Sequence, residues 1–175
     1  KMVREANRVE WVSTDSVLEA LLLETNLIRT HRPSFNTRSK DDKSFNHVVI
    51  TREDFPKVMV VRGKDLLNAD SSQYSHIFGP FPNSTLFKTA MKIVRKLFQF
   101  YDSGAIESKS AVVRGKIDFN RQIGLYPDKI SKREYSRTIK HLVLFFEGKK
   151  GRIIQELNKE MHRLAQKEKF EEAHI

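Results

Sequence analysis

Along the first third of the chain, Leu18, Leu21, Leu22, Thr25 and Ile28 recur at steps of three and four, the pattern of a helix with one inward stripe. Thr14-Asp15-Ser16 supplies N-cap oxygens, Ser16 and Glu19 have capping-box spacing, and Pro33 stops the run shortly after Thr30. Ahead of it, Lys1–Ala6 has the pattern of a helix's last turns without a capping residue before them. Arg8–Ser13 alternates Val9, Trp11 and Ser13 against Arg8, Glu10 and Val12, which predicts a strand. Phe35–Phe45 is a polar loop. His47–Thr51 and Lys57–Arg62 are β-rich runs about an Asp54-Phe55-Pro56 turn and predict a hairpin. Gly63–Gln73 is expected as a loop and Tyr74–Phe81 as a short strand. Asn83 caps a second helix, about Ser84–Phe98, with Leu86, Phe87, Ala90, Ile93, Val94 and Leu97 on a shared face.

Residues 99–130 hold no sustained period and are expected as a loop-rich connector. Ser131 and Glu134 repeat the capping-box spacing and open a helix with Tyr135, Ile139, Leu142, Val143 and Phe146 on one side, broken at Gly148. Beyond it, Ile154, Leu157, Met161 and Leu164 form an a/d seam, and Phe170 and Ala173 extend it toward the turn of a helical hairpin. Such a seam either packs within the chain or docks on another protein. The fold expected is α+β: a small antiparallel sheet with flanking helices, a loop-rich connector and a C-terminal helical hairpin. The expected divisions are 1–98, 99–148 and 149–175.

Composition narrows the function classes. The 175 residues carry 32 Lys+Arg against 22 Asp+Glu, a formal charge of +10. The excess is uneven: +1 over residues 1–50, +3 over 51–102, +6 over 103–151 and zero over 152–175. A polyanion is drawn to the third block, and nucleic acid is the commonest intracellular one. No apolar run approaches the ~20 residues of a membrane span. The absence of cysteine excludes disulfides, thiolate catalysis and cysteine-held metal, and is compatible with a cytoplasmic location. None of the six histidines has metal-ligand spacing, and no glycine-rich phosphate loop or nucleophile elbow is present.

Glu24 is the odd residue of the first helix, a carboxylate one step from a leucine stripe. It is either a solvated helix glutamate or a hard-metal ligand, since one carboxylate with waters and phosphate oxygens suffices for Mg²⁺. Asp41-Asp42-Lys43 offers a second, ordinarily solvated, charge cluster.

The run Thr14-Asp15-Ser16-Val17-Leu18-Glu19-Ala20-Leu21-Leu22-Leu23-Glu24-Thr25-Asn26-Leu27-Ile28, followed by His31-Arg32-Pro33-Ser34-Phe35-Asn36, resembles the UvrC family of bacterial excinucleases. Lys40-Asp41-Asp42-Lys43-Ser44-Phe45, Phe78-Gly79-Pro80-Phe81-Pro82, Gln122-Ile123-Gly124-Leu125 and Phe145-Phe146-Glu147-Gly148-Lys149 resemble it in the same order. The tail, with Met161, Leu164, Ala165 and Phe170-Glu171-Glu172-Ala173, resembles the UVR motif that docks on the partner protein UvrB.

The resemblance implies a GIY-YIG nuclease that makes the 3′ incision beside a DNA lesion by metal-assisted phosphodiester hydrolysis. Glu24 is then the ligand of one Mg²⁺ or Mn²⁺ ion, and Asn36 a second active-site residue. Damaged duplex DNA is the implied substrate, contacted by Arg32, Arg38, Lys40 and Lys43, and by Lys116 and Arg121 in the basic connector. UvrB is the implied partner, held by Leu157, Met161, Leu164 and Phe170. The family's tyrosine-bearing strands and catalytic arginine lie ahead of the helix that Lys1–Ala6 finishes, so this chain alone is expected to be inactive. The alternative is a non-catalytic adaptor that binds DNA and UvrB. Many members hold an iron–sulfur cluster with four cysteines in the connector. Here Ser103, Asp118 and Tyr126 stand at three of those places, so no cysteine-ligated cluster forms.

Overall fold

The computed structural model describes residues 2–35, 45–102, 111–128 and 130–166. Strands β1 (Asn46–Thr51), β2 (Val58–Arg62) and β3 (Tyr74–Phe81) form an antiparallel sheet in the order β2–β1–β3. β1 pairs Val48 with Val60 on one side and with Phe78 on the other. Val48, Val49 and Ile50, which alternate between the two faces of this central strand, are all completely buried, so both faces are covered and the sequence is a continuous apolar run rather than an alternation. The expected β1–β2 hairpin is present.

The described helices are α1 (Met2–Glu5), α2 (Val17–His31), α3 (Gly63–Asn68), α4 (Ser84–Leu97), α5 (Ala111–Gln122), α6 (Lys132–Phe146) and α7 (Lys150–Gln166). Their starts follow the capping chemistry in the sequence. The Ser16 hydroxyl accepts from the Glu19 N–H at 3.2 Å, and the Asn83 side chain from the Leu86 N–H at 3.0 Å. Ser131 accepts from the Glu134 N–H at 3.3 Å while the Glu134 carboxylate accepts from the Ser131 N–H at 3.0 Å, a complete capping box. α6 ends at Gly148, whose φ of +73° lets the chain turn back toward α7.

One apolar cluster joins α2 (Leu21, Leu22), β1 (Val48, Ile50), β3 (Phe78, Phe81), α4 (Phe87, Val94), α5 (Ile117) and α6 (Tyr135, Leu142, Phe146). Phe81 stacks on Phe87 at 4.8 Å and Phe78 on Phe146 at 5.0 Å, fixing α4 and α6 to the outer strand. The Tyr135 hydroxyl, buried, donates to the Pro56 carbonyl at 2.6 Å and accepts from the Tyr101 N–H at 3.1 Å. Burial pushes its phenol well above the ordinary range, so it stays a neutral donor.

Several expectations are corrected. Arg8–Ser13 is not a strand: it forms no regular element and is exposed, with Trp11 87% exposed, because no described strand offers its backbone a ladder. Gly63–Gln73 is not a plain loop but holds α3 and a 3₁₀ turn at Ser71–Gln73, the latter set by Asp70 accepting from the Ser72 N–H at 2.9 Å. The connector contains α5, a helix of 12 residues, where a loop is expected. On α4, Phe87, Ala90 and Val94 face the core, whereas Ile93 and Leu97 turn to solvent. The second arm of the expected C-terminal hairpin lies outside the described residues.

Candidate active site and docking face

α2 holds Glu24 in place through its neighbours. Leu21, Leu22 and Thr25 are buried, and the Thr25 hydroxyl donates to the Leu21 carbonyl at 2.8 Å. Asn26 donates to the Phe146 carbonyl at 3.3 Å, tying the helix to the end of α6. Glu24 projects from the opposite face into solvent, on a side that also exposes Val17, Ala20, Leu27 and His31. Among the described residues the Glu24 carboxylate makes no ion pair or side-chain hydrogen bond. Among the described residues there is also no group of three or more His, Asp or Glu side chains that could hold a metal. One exposed carboxylate is chemically able to serve as the single protein ligand of a divalent ion whose other ligands are water and phosphate oxygens.

Arg32 is the C-cap residue directly after His31, eight residues along the chain from Glu24. It closes α2 in the left-handed region (φ +43°), its N–H donating to the Ile28 carbonyl at 2.8 Å, and Pro33 prevents continuation. Its side chain is exposed beside His31. Asn36, Arg38, Lys40 and Lys43 lie outside the described residues. Lys116 and Arg121 sit on α5, away in sequence from α2. Lys116 is exposed, while Arg121 pairs with Asp118 at 3.3 Å. Of the expected site, then, α2 brings Glu24 and Arg32 onto one element and α5 presents Lys116 and Arg121 from another.

The place where a cysteine would stand in the resembled family is filled by Tyr126, buried at the end of the connector. Its hydroxyl donates to Asp102, which also pairs with Arg95 of α4. The Arg95 guanidinium lies 4.9 Å from the Phe100 ring centroid, and Tyr101 meets Tyr126 edge-on at 5.1 Å. This cluster of charge and aromatic rings ties Tyr126 to Phe100–Asp102 and to Arg95 of α4. Sequence reading misses it because its members are scattered over 32 positions with no local pattern.

The C-terminal helix exposes the described members of its seam. Ile154, Leu157 and Met161 are 48%, 40% and 41% exposed. The side turned to α6 is instead polar: Arg137 meets Glu160 at 2.9 Å, Lys140 meets Glu156 at 2.7 Å, and His141 Nε2 lies 3.2 Å from Glu156. The Lys140 hydrogen bond holds the Glu156 carboxyl below its usual range, and Arg163 does the same for Glu160. Lys150 bridges the first turns of α7 and α2, 2.6 Å from Asp15 and 2.9 Å from Glu19. These bonds raise its ammonium pKa and lower that of Asp15. Beside this bridge a mainly apolar cavity of about 440 Å³ opens between α2 and the α6–α7 corner, lined by Leu22, Phe98, Phe145 and Ile154. Leu164 belongs to α7, and Phe170 lies outside the described residues. No described helix is long and apolar enough to cross a membrane.

Residues 1–37, which include Glu24, Arg32 and Asn36, match the sequence model of the UvrC-like GIY-YIG domain. UvrABC system protein C of Caldanaerobacter subterraneus subsp. tengcongensis is 34% identical over 98% of this chain and 28% of that protein. Those of Methanothermobacter thermautotrophicus and Clostridium kluyveri are 31% and 34% identical, again over 98% of this chain, and over 28% and 27% of their own lengths. The chain thus spans little more than a quarter of the curated relatives it matches. No solved structure matches.

Proposed function

The chain is a homologue of UvrABC system protein C, and from that premise we propose that it is part of a nucleotide-excision-repair endonuclease that makes the 3′ incision in damaged DNA together with UvrB. The observation that carries the reading is Glu24: a solvent-facing carboxylate with no described cation beside it, on a helix fixed by three buried neighbours, inside the segment that matches a nuclease domain. Glu24 would hold one Mg²⁺ or Mn²⁺ ion, which when bound stabilises charge on the leaving phosphodiester oxygen.

The chain's own residues position the DNA. Arg32, fixed at the end of α2, meets a phosphate beside the metal-bearing carboxylate, and Asn36, four residues on, is the further active-site residue. Arg38, Lys40 and Lys43 follow along the same stretch, with Lys116 and Arg121 as phosphate contacts on α5. Leu157, Met161, Leu164 and Phe170 dock UvrB, a reading supported by the exposure of Leu157 and Met161 on α7. The divisions of the chain are a partial nuclease domain over 1–98, a basic connector over 99–148 and a docking motif over 149–175. The protein works in the cytoplasm.

A second reading, a DNA- and UvrB-binding adaptor, draws on the +6 charge of residues 103–151, which suits DNA binding without requiring catalysis. The test is incision of a duplex carrying one defined lesion by the full-length parent with UvrB. Cleavage 3′ of the lesion that requires a divalent cation supports the nuclease. Binding of DNA and UvrB with no incision in any divalent cation overturns it and leaves the adaptor.

A further inference from the structure

α4 buries Phe87, Ala90 and Val94 and so fixes which side chains face water. Lys88, Lys92 and Lys96 follow at four-residue steps on the opposite side, all exposed, which places successive ammonium groups about 6 Å apart along the helix axis. The helix contains no Asp or Glu. Among the described residues no carboxylate pairs with any of the three, although basic residues elsewhere are paired: Arg95 on the same helix with Asp102, Arg137 with Glu160, Lys140 with Glu156, Lys150 with Asp15 and Glu19. Like charges at four-residue spacing repel one another, so packing of the inner face holds together a helix that its outer face disfavours. A row of this kind, rigidly presented and uncompensated, is complementary to a regular array of anions.

We propose that Lys88, Lys92 and Lys96 form a second phosphate-backbone contact for duplex DNA, separate from the residues near Glu24 and on α5. The proposal rests on the nucleic-acid reading above and adds a surface to it. A membrane is the less suitable partner, because the apolar face that an interfacial helix would insert into lipid is here buried in the core. Contacts of this type carry no base specificity and act through counterion release.

The experiment measures binding of a fluorescent, undamaged duplex to the 175-residue chain across a salt series, for the wild type, a Lys88→Gln/Lys92→Gln/Lys96→Gln variant and the corresponding triple Arg variant. Far-UV circular dichroism melting checks that each is folded, and vesicles with anionic lipid are run in parallel. The expected result is a salt slope reduced by about 0.9 per lysine, roughly 2.7 in all, with affinity down at least about tenfold for the Gln variant and restored by Arg. An unchanged slope in a folded Gln variant overturns the proposal and leaves the nucleic-acid reading intact. Loss of vesicle binding with DNA binding unchanged also overturns it. A wild-type chain that binds no duplex even at low salt overturns the nucleic-acid reading itself, and this proposal with it.

Discussion

Gly79 and His47 approach so closely across the β1–β3 pair that a Cβ built on the glycine would stand 2.9 Å from His47 Cδ2 and 3.1 Å from the Asn46 carbonyl. Its φ of +127° is also a conformation that side chains with a Cβ rarely adopt. The Phe78-Gly79-Pro80-Phe81 run is thus tied to packing: the glycine lets β3 lie against β1 while Phe78 and Phe81 enter the core.

Substituting Gly79 with Ala should therefore cost about 1–3 kcal/mol of stability, from strain at positive φ and displacement of the His47 ring. Urea unfolding reads it as a lowered midpoint with an unchanged slope.

Leu157→Asp or Met161→Asp should leave folding nearly unchanged, because both side chains are already substantially exposed. Each should weaken UvrB association by about tenfold or more, ~1.4 kcal/mol, while duplex affinity stays the same. Leu164→Asp and Phe170→Ala belong to the same series. Titration calorimetry with UvrB beside a DNA-binding assay separates the two effects, and parallel loss of both would refute the division of labour.

Acid should loosen α7 from α6. Glu156 and Glu160 are held below the ordinary value of 4.5 by Lys140 and His141, and by Arg163 and Arg137. A carboxylate lowered in the folded state contributes stability above its unfolded value and loses it as pH falls through the folded one. The contact is thus at full strength at neutral pH and weakens from about pH 4.5 downward, modestly because the pairs are partly exposed to solvent, and more so in high salt. Backbone NMR shifts of α7 should titrate in that window before the core unfolds.

Tyr126→Phe removes the hydroxyl that bonds Asp102 and should cost about 1 kcal/mol, and Asp102→Ala about 1–3 kcal/mol because it also releases Arg95. Unfolding midpoints measure both. Equal stability of wild type and Asp102→Ala would show that the connector is held by something other than this cluster.

What is legible in the chain is local. Ser16, Asn83 and Ser131 announce helix starts because a cap is an interaction between residues three apart. Arg8–Ser13 misleads because alternation marks a strand only where a neighbour completes its hydrogen bonds. α5 escapes because Ile117 is its one residue in the buried core among those whose side chains are described, too thin a stripe for a period. On α7 the spacing holds, but which face turns inward is decided by Arg137, Lys140 and His141 on α6, which sequence spacing does not reveal. At the site, Glu24 stands out as a carboxylate against leucines, and its exposure follows from the burial of Thr25 beside it, 6% exposed. The α4 lysines leave a readable signal in their regular spacing. The Arg95–Asp102–Tyr126 cluster leaves none.

The central claim is that Glu24 is the metal-bearing carboxylate of the nuclease, and it is tested most directly by 3′ incision of a lesion-bearing duplex by the full-length parent with UvrB and Mg²⁺, comparing wild type with Glu24→Ala. Because Glu24 is exposed, the variant should melt within about 0.5 kcal/mol of wild type and bind DNA as well. The account predicts loss of 3′ incision by at least about a hundredfold under those conditions. Incision at the wild-type rate by a folded Glu24→Ala protein would contradict it.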